Sequence, residues 1–358
     1  MATPATPLTK LAYQAMQQSK SYFGLAHKAL SSQLMSVVAP PPEREASASG
    51  LSPQVLLSIQ QRMNQLLEQD WQDAERGIYS TDILFDNPWE DFFRYYPVLW
   101  ADQPQVWNRV NNKQFEEFSP DIDLEDYPKY YARNFHYQTD GYLSDQSANL
   151  YDLQVELLFN GTADAMRRRI LAPVKQRLAA AGFADAPRTR ILDIACGTGR
   201  TLRFLRDAFS KASLYGVDLS PAYLRKANQM LSERPGELPQ LMQANAEELP
   251  YVDGFFQGVT SVFLFHELPA PVRQKVIDEA YRVVQPGGIF IICDSIQMAD
   301  SPELKVSMEG FSAMFHEPFY RNYIEDDLNA RLEAAGFEVL ENQVHFMSKY
   351  WVARKPAV

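Results

Sequence analysis

Before about residue 70 the apolar residues recur at helical spacing; beyond residue 190 they fall in short unbroken runs. Ile191-Leu192-Asp193-Ile194, Leu214-Tyr215-Gly216-Val217 and Ile289-Phe290-Ile291-Ile292 read as strands covered on both faces, as in a parallel sheet. Thr201-Leu202-Arg203-Phe204-Leu205 opens a helix soon after the first run, and Pro286-Gly287-Gly288 breaks a helix just before the last. Val55, Leu56, Ile59, Met63, Leu66 and Leu67 form the packing stripe of a helix that Ser52-Pro53 starts with an N-cap and an N1 proline. Leu8, Leu11, Ala15, Leu25 and Leu30 hint at an earlier helix ended by Pro40-Pro41-Pro42.

The join between the first strand and its helix carries the chemistry. Asp193-Ile194-Ala195-Cys196-Gly197-Thr198-Gly199 is a strand-turn-helix whose two glycines let the backbone pass close under a ligand. Such a turn turns backbone N–H groups toward the carboxyl edge of a sheet, where nucleotide-like ligands bind. Asp218 ends the next strand 25 residues later, placed to accept from two vicinal ribose hydroxyls. NAD and S-adenosyl-L-methionine sites both use such an acid. A dinucleotide fingerprint needs a third glycine, and Leu202 stands in its place, which disfavours an NAD-dependent oxidoreductase.

The motif and its spacing resemble the class I S-adenosyl-L-methionine-dependent methyltransferases, over roughly residues 163–354. The likeness continues through Gln243 to Pro250 as a third-strand end, Asp253 to His266 as a turn and fourth strand, and Arg282 to Gly288 as the helix-turn before the fifth. Phe337 to Leu340 and Val344 to Val352 match the closing antiparallel pair. It implies an α/β fold: a seven-stranded, mostly parallel Rossmann-like sheet with helices on both faces, here with a mainly helical N-terminal domain. It also implies a cofactor site of Asp193, Ala195, Gly197, Gly199, Arg200, Asp218, Leu219, Asn245, Ala246 and Phe263, with Arg200 either pairing with the methionine carboxylate or standing as a solvent-exposed helix arginine. The family usually has Asp where this chain has Asn245, whose carbonyl oxygen can still accept from the adenine amino group.

Charge narrows the acceptor. A net charge of −11 argues against DNA or tRNA, since phosphate binding rests on clustered Lys and Arg. That charge is concentrated between Glu68 and Glu156, where 19 Asp and Glu face 6 Lys and Arg, so the rest of the chain is near neutral. The same region is aromatic-rich: Trp71 to Tyr151 holds 19 of the 44 Phe, Trp and Tyr residues. Three units follow: a helical segment and linker over 1–50, an aromatic cap over 51–160 and the cofactor-binding domain over 161–358. No apolar run marks a membrane span, and Cys196 and Cys293 offer neither a disulfide framework nor enough ligands for metal chemistry. A cytoplasmic protein is expected. The acid-free, Ser/Ala-rich residues 1–42 leave organellar targeting open, although a helix packed on the body or on the second subunit of a homodimer is the plainer reading.

Tyr130 to Ser144 is dense in hydrogen-bonding groups and reads as a lid or acceptor wall, or as buried Tyr and His that satisfy backbone groups. His266 after the fourth strand, with Glu267 beside it, is a candidate base or a strand-end residue bonded to the backbone. His136, Tyr142, His316 and Tyr320 complete the catalytic candidates, and His345 reads as structural. Methyl transfer from a sulfonium is an in-line displacement that relies on positioning, and a base is needed only if the acceptor must lose a proton. Tyr, Trp and Phe faces flanked by carboxylates suit an acceptor that becomes cationic, an amine or a thioether such as a small methylthio-acid. A non-catalytic cofactor-binding module and a methyltransferase acting on a basic peptide are the alternatives.

Overall fold

The computed structural model describes residues 3–38, 52–183 and 189–357. The proline run and linker read at 40–50 lie outside them. Seven strands form one sheet: β1 (Arg190–Ile194), β2 (Ser213–Asp218), β3 (Gln240–Gln243), β4 (Phe256–Val262), β5 (Val284–Ser295), β6 (Glu338–His345) and β7 (Ser348–Arg354), in the order β3-β2-β1-β4-β5-β7-β6. The first five run parallel, and β7 enters antiparallel between β5 and β6. Strands β1 and β4 alternate at the centre, so Ile191, Leu192, Ile194, Phe256 and Val259 are wholly buried. That is why their apolar runs are unbroken. The order reverses between β1 and β4, which opens a crevice at their carboxyl ends.

Twelve helices surround the sheet among the described residues. Four lie in the N-terminal half: α1 (Pro7–Val38), α2 (Pro53–Glu75), α3 (Trp89–Asn112) and α4 (Asp145–Leu158). Short helices α5 (Ala163–Arg168) and α6 (Leu171–Ala180) lead into β1; α7 (Arg200–Ala208), α8 (Pro221–Ser232) and α9 (Ala270–Val283) connect strands; α10 (Lys305–Phe315), α11 (Tyr320–Tyr323) and α12 (Leu328–Ala334) precede β6. Ser52 caps α2 as its sequence requires, accepting from the Val55 N–H at 3.3 Å.

Helix α1 packs on the body through Tyr13, Gln17, Lys20, Gly24 and His27, while Leu8, Leu11, Leu25 and Leu30 face outward. Its anchor is polar. The Tyr13 hydroxyl donates to Asp70 Oδ2 at 2.6 Å, and Asp70 also receives Arg168 Nε at 3.0 Å, Arg168 Nη2 at 2.6 Å and the Tyr79 hydroxyl at 2.7 Å. Asp70 and Arg168 are both sealed from solvent, so each charge depends on the other.

Candidate active site

The turn after β1 takes the shape its glycines allow. Gly197 and Gly199 have φ of 55° and 82°, and a Cβ on Gly199 would meet Ala227 Cβ of α8 at 3.0 Å. The Gly197 N–H donates to Asp218 Oδ2 at 2.8 Å, and the Ser220 N–H donates to Oδ1 at 2.8 Å. Asp218 therefore holds the turn as well as facing the crevice. Ala195 (φ 56°) and Phe263 (φ 59°) are non-glycine residues in the left-handed region, and both line the crevice, where such strain clusters in functional sites.

The crevice is a half-open cleft at the carboxyl ends of the central strands. Ala195, Gly197, Asp218, Leu219, Asn245, Ala246 and Phe263 line it together with Tyr130, Tyr131, Tyr142, Tyr151, Tyr223 and Glu267. Asn245 Oδ1 accepts the Glu247 N–H at 3.0 Å, a local turn that fixes the amide at the cleft edge. Asp193 and Gly199 lie behind the wall: Asp193 is 1% exposed and accepts from the Thr260 hydroxyl at 2.7 Å. Burial raises its carboxyl to about 7.

Asp218 is raised to about 6, chiefly by burial and against the two N–H groups that favour its charged form. Ribose hydroxyls donate best to the ionised carboxylate, so binding favours deprotonation. Cofactor affinity is accordingly expected to be level above about pH 7 and to fall as pH drops through 6, approaching about tenfold per unit. Calorimetric titrations from pH 5 to 8 check this; affinity that climbs on acidification contradicts it.

Arg200 is corrected. Its guanidinium is 2% exposed and committed to Asp164 Oδ2 at 2.5 Å and to the Asp86 carbonyl at 2.7 Å, so it neither reaches the cleft nor stands exposed. A buried guanidinium needs a full set of acceptors, and these come from α5 and from the segment just before α3. His316 is also corrected: at the left-handed end of α10 its ring stacks on Phe115, with centroids 4.1 Å apart, outside the cleft wall. Burial lowers it to about 4. Tyr320 lies behind the wall, paired with Ser295 Oγ at 2.9 Å. His345 meets Gln343 at 3.2 Å on the edge strand β6.

His136, Tyr142, His266 and Glu267 do converge. The Tyr142 hydroxyl donates to Glu267 Oε1 at the cleft wall. His136 Nε2 lies 3.7 Å from Glu267 and 2.9 Å from Glu317, while His266 Nδ1 meets Asp294 Oδ1 at 2.6 Å. Asp294, not Glu267, orients His266. Burial opposes charge on both imidazoles, but the carboxylates prevail: Glu317 and Glu267 raise His136 to about 10, and Asp294 raises His266 to about 9. The five cleft phenols are held above their ordinary value, mainly by burial, and stay neutral.

The expectation of too few metal ligands is revised. His136, Glu267 and Glu317, from three distant segments, bring ligand atoms within 4.8 Å of one another. No local spacing announces them. Tyr223 was missed too: it follows the Ser220 cap of α8 like an ordinary helix residue, yet its ring meets Tyr142 at 5.5 Å and Tyr151 at 5.4 Å.

A strand-turn-helix at the switch point of this sheet, with an acid closing β2, defines a nucleoside-binding methyltransferase fold. A family model described as "Methyltransferase domain" matches residues 191–288. The chain belongs to the class I S-adenosyl-L-methionine-dependent methyltransferases, and its cofactor is S-adenosyl-L-methionine. An uncharacterized methyltransferase of Synechocystis sp. is 30% identical over 46% of this chain and 73% of its own length. A demethylmenaquinone methyltransferase of Thermus thermophilus is 33% identical over 40% and 60%, and a sarcosine/dimethylglycine N-methyltransferase of Halorhodospira halochloris is 32% identical over 39% and 48%. The match thus spans less than two thirds of either of these last two relatives. Among solved structures, magnesium protoporphyrin IX methyltransferase from Synechocystis PCC 6803 with bound SAH aligns at a TM-score of 0.41 and 16% identity, over 53% of this chain and 84% of that one. No helix among the described residues is long and apolar enough to cross a membrane.

Proposed function

We propose that this methyltransferase acts on a small molecule whose amine or thioether becomes cationic on methylation. One observation carries the reading: five tyrosine rings line the cleft, and no Lys or Arg lines it among the described residues. Neutral phenol rings present negative faces to an ammonium or sulfonium. In the displacement, positive charge moves from the cofactor sulfur to the acceptor atom, so a wall that favours cations at that end stabilises the product side of the transition state. A thioether needs no base; an amine needs only to arrive unprotonated. The relative that methylates sarcosine and dimethylglycine lends weight to the amine form.

Tyr142→Leu and Tyr151→Leu are each expected to lower turnover by about 5- to 30-fold, the worth of one desolvated cation–π contact of roughly 1–2 kcal/mol. Cofactor affinity should stay within about twofold. The acceptor itself is sought by incubating the protein and labelled cofactor with a metabolite extract and identifying the labelled product. A labelled phenol ether or carbon-methylated ring would sink the cationic reading, as would equal loss of turnover and cofactor binding in the tyrosine variants.

A further inference from the structure

Near Glu267, the buried carboxylate of Glu317 has His136 as its close ion-pair partner. Glu317 is wholly inaccessible, and neither of its oxygens receives a well-directed hydrogen bond. A buried carboxylate short of hydrogen bonds is costly, and a bound cation relieves that cost. Glu317 Oε1 stands 2.9 Å from His136 Nε2, which is 3.7 Å from Glu267 Oε1. Three ligands on one ion at about 2.1 Å in tetrahedral array would be spaced at roughly 3.4 Å, and these separations bracket that value.

We propose that His136 Nε2, Glu267 and Glu317 bind one divalent transition-metal ion beside the methyl-acceptor site, the ion displacing the proton of the His136 imidazolium into solvent. One imidazole nitrogen with two carboxylates suits a borderline ion, Zn²⁺, Mn²⁺ or Fe²⁺, better than Ca²⁺ or Mg²⁺. Surrounding groups are arranged as metal sites arrange them. The Tyr142 hydroxyl fixes Glu267 by donating to Oε1, and three protein ligands leave room on the ion for a further oxygen. Because Glu267 forms part of the cleft wall, that oxygen comes from the cleft. The cleft wall, as noted, carries no Lys or Arg, so the ion supplies the cationic group that a carboxylate on the acceptor would otherwise lack. The substrate class becomes an amino acid or a methylthio-acid, held by its carboxylate while nitrogen or sulfur faces the methyl group. This assignment of substrate rests on the proposed cationic-product reading; the ion site itself does not.

The test uses the full chain, stripped with a chelator and titrated with Zn²⁺ and separately with Mn²⁺ by calorimetry. One ion per chain is expected, with a dissociation constant in the micromolar range or below. Glu317→Gln and His136→Gln should each weaken it at least about tenfold, the range for losing a metal-site group, with cofactor affinity unchanged as proof of folding. Anomalous scattering from wild-type crystals grown with Zn²⁺ locates the ion without any variant. Binding weaker than millimolar, equal binding by both variants, or an ion seated elsewhere overturns the proposal. An ion at this site with no turnover of any amino acid or methylthio-acid would retain the metal centre and refute the acceptor reading.

Discussion

Replacing Asp218 with alanine is expected to weaken S-adenosyl-L-methionine binding about 100-fold, the largest loss of affinity from any single change in the cleft. The carboxylate closes β2 and accepts from the Gly197 and Ser220 N–H groups, so it anchors the glycine turn from below. The ribose hydroxyls would be its remaining donors. Hydrogen bonds to a charged group contribute roughly 1.5–3 kcal/mol each, and alanine forfeits those to the sugar while freeing the turn. The burial that lifts Asp218 to about 6 offsets part of this, which holds the net loss near 3 kcal/mol, or about 100-fold. Asp218→Asn keeps an acceptor oxygen and should lose less. Calorimetry with the cofactor and with its demethylated product measures both variants; a dissociation constant for Asp218→Ala within threefold of the parent would show that the sugar is held elsewhere.

Asp70→Ala is expected to be the most destabilising single substitution in the N-terminal layer, by about 3–5 kcal/mol, because it strands the Arg168 guanidinium in a sealed site. Asp70 also collects the hydroxyls of Tyr13 and Tyr79, so one side chain ties α1, α2 and α5 together. A loss of this size should lower the melting temperature by roughly 10 °C. The paired change Asp70→Leu with Arg168→Met removes both charges and should recover much of the loss. Thermal unfolding followed by circular dichroism decides it. A drop no larger in the single variant than in the pair would mean that solvent reaches Arg168. Because neither residue lines the cleft, cofactor affinity should survive in whatever fraction stays folded.

The glycine turn and the acid that closes β2 were legible because their parts are local. Asp193 to Gly199 and the end of β2 lie within one strand-turn-helix-strand unit, and the backbone conformation of the turn demands glycine there. Arg200 shows the limit of that logic. Its place just after the turn fits a ligand contact, but Asp164 and the Asp86 carbonyl arrive from a layer whose packing no local pattern records. His316 fails for a similar reason, since a left-handed residue at the end of α10 sends its ring onto Phe115. The tyrosine-lined part of the cleft is built from side chains far apart in sequence, Tyr142, Tyr151, Tyr223 and Glu267, none of which belongs to a recurrent motif.

By itself, the order of apolar runs, glycines and acids determined the seven-stranded sheet and the glycine turn and acid at its switch point, because strand burial and turn geometry are written in neighbouring residues. Tertiary structure alone decided which distant side chains line the cleft. Only the docking of the N-terminal layer over the sheet brings His136 to Glu267 and Glu317 and closes the tyrosine wall, and the energy of those contacts depends on distances that sequence separation does not encode.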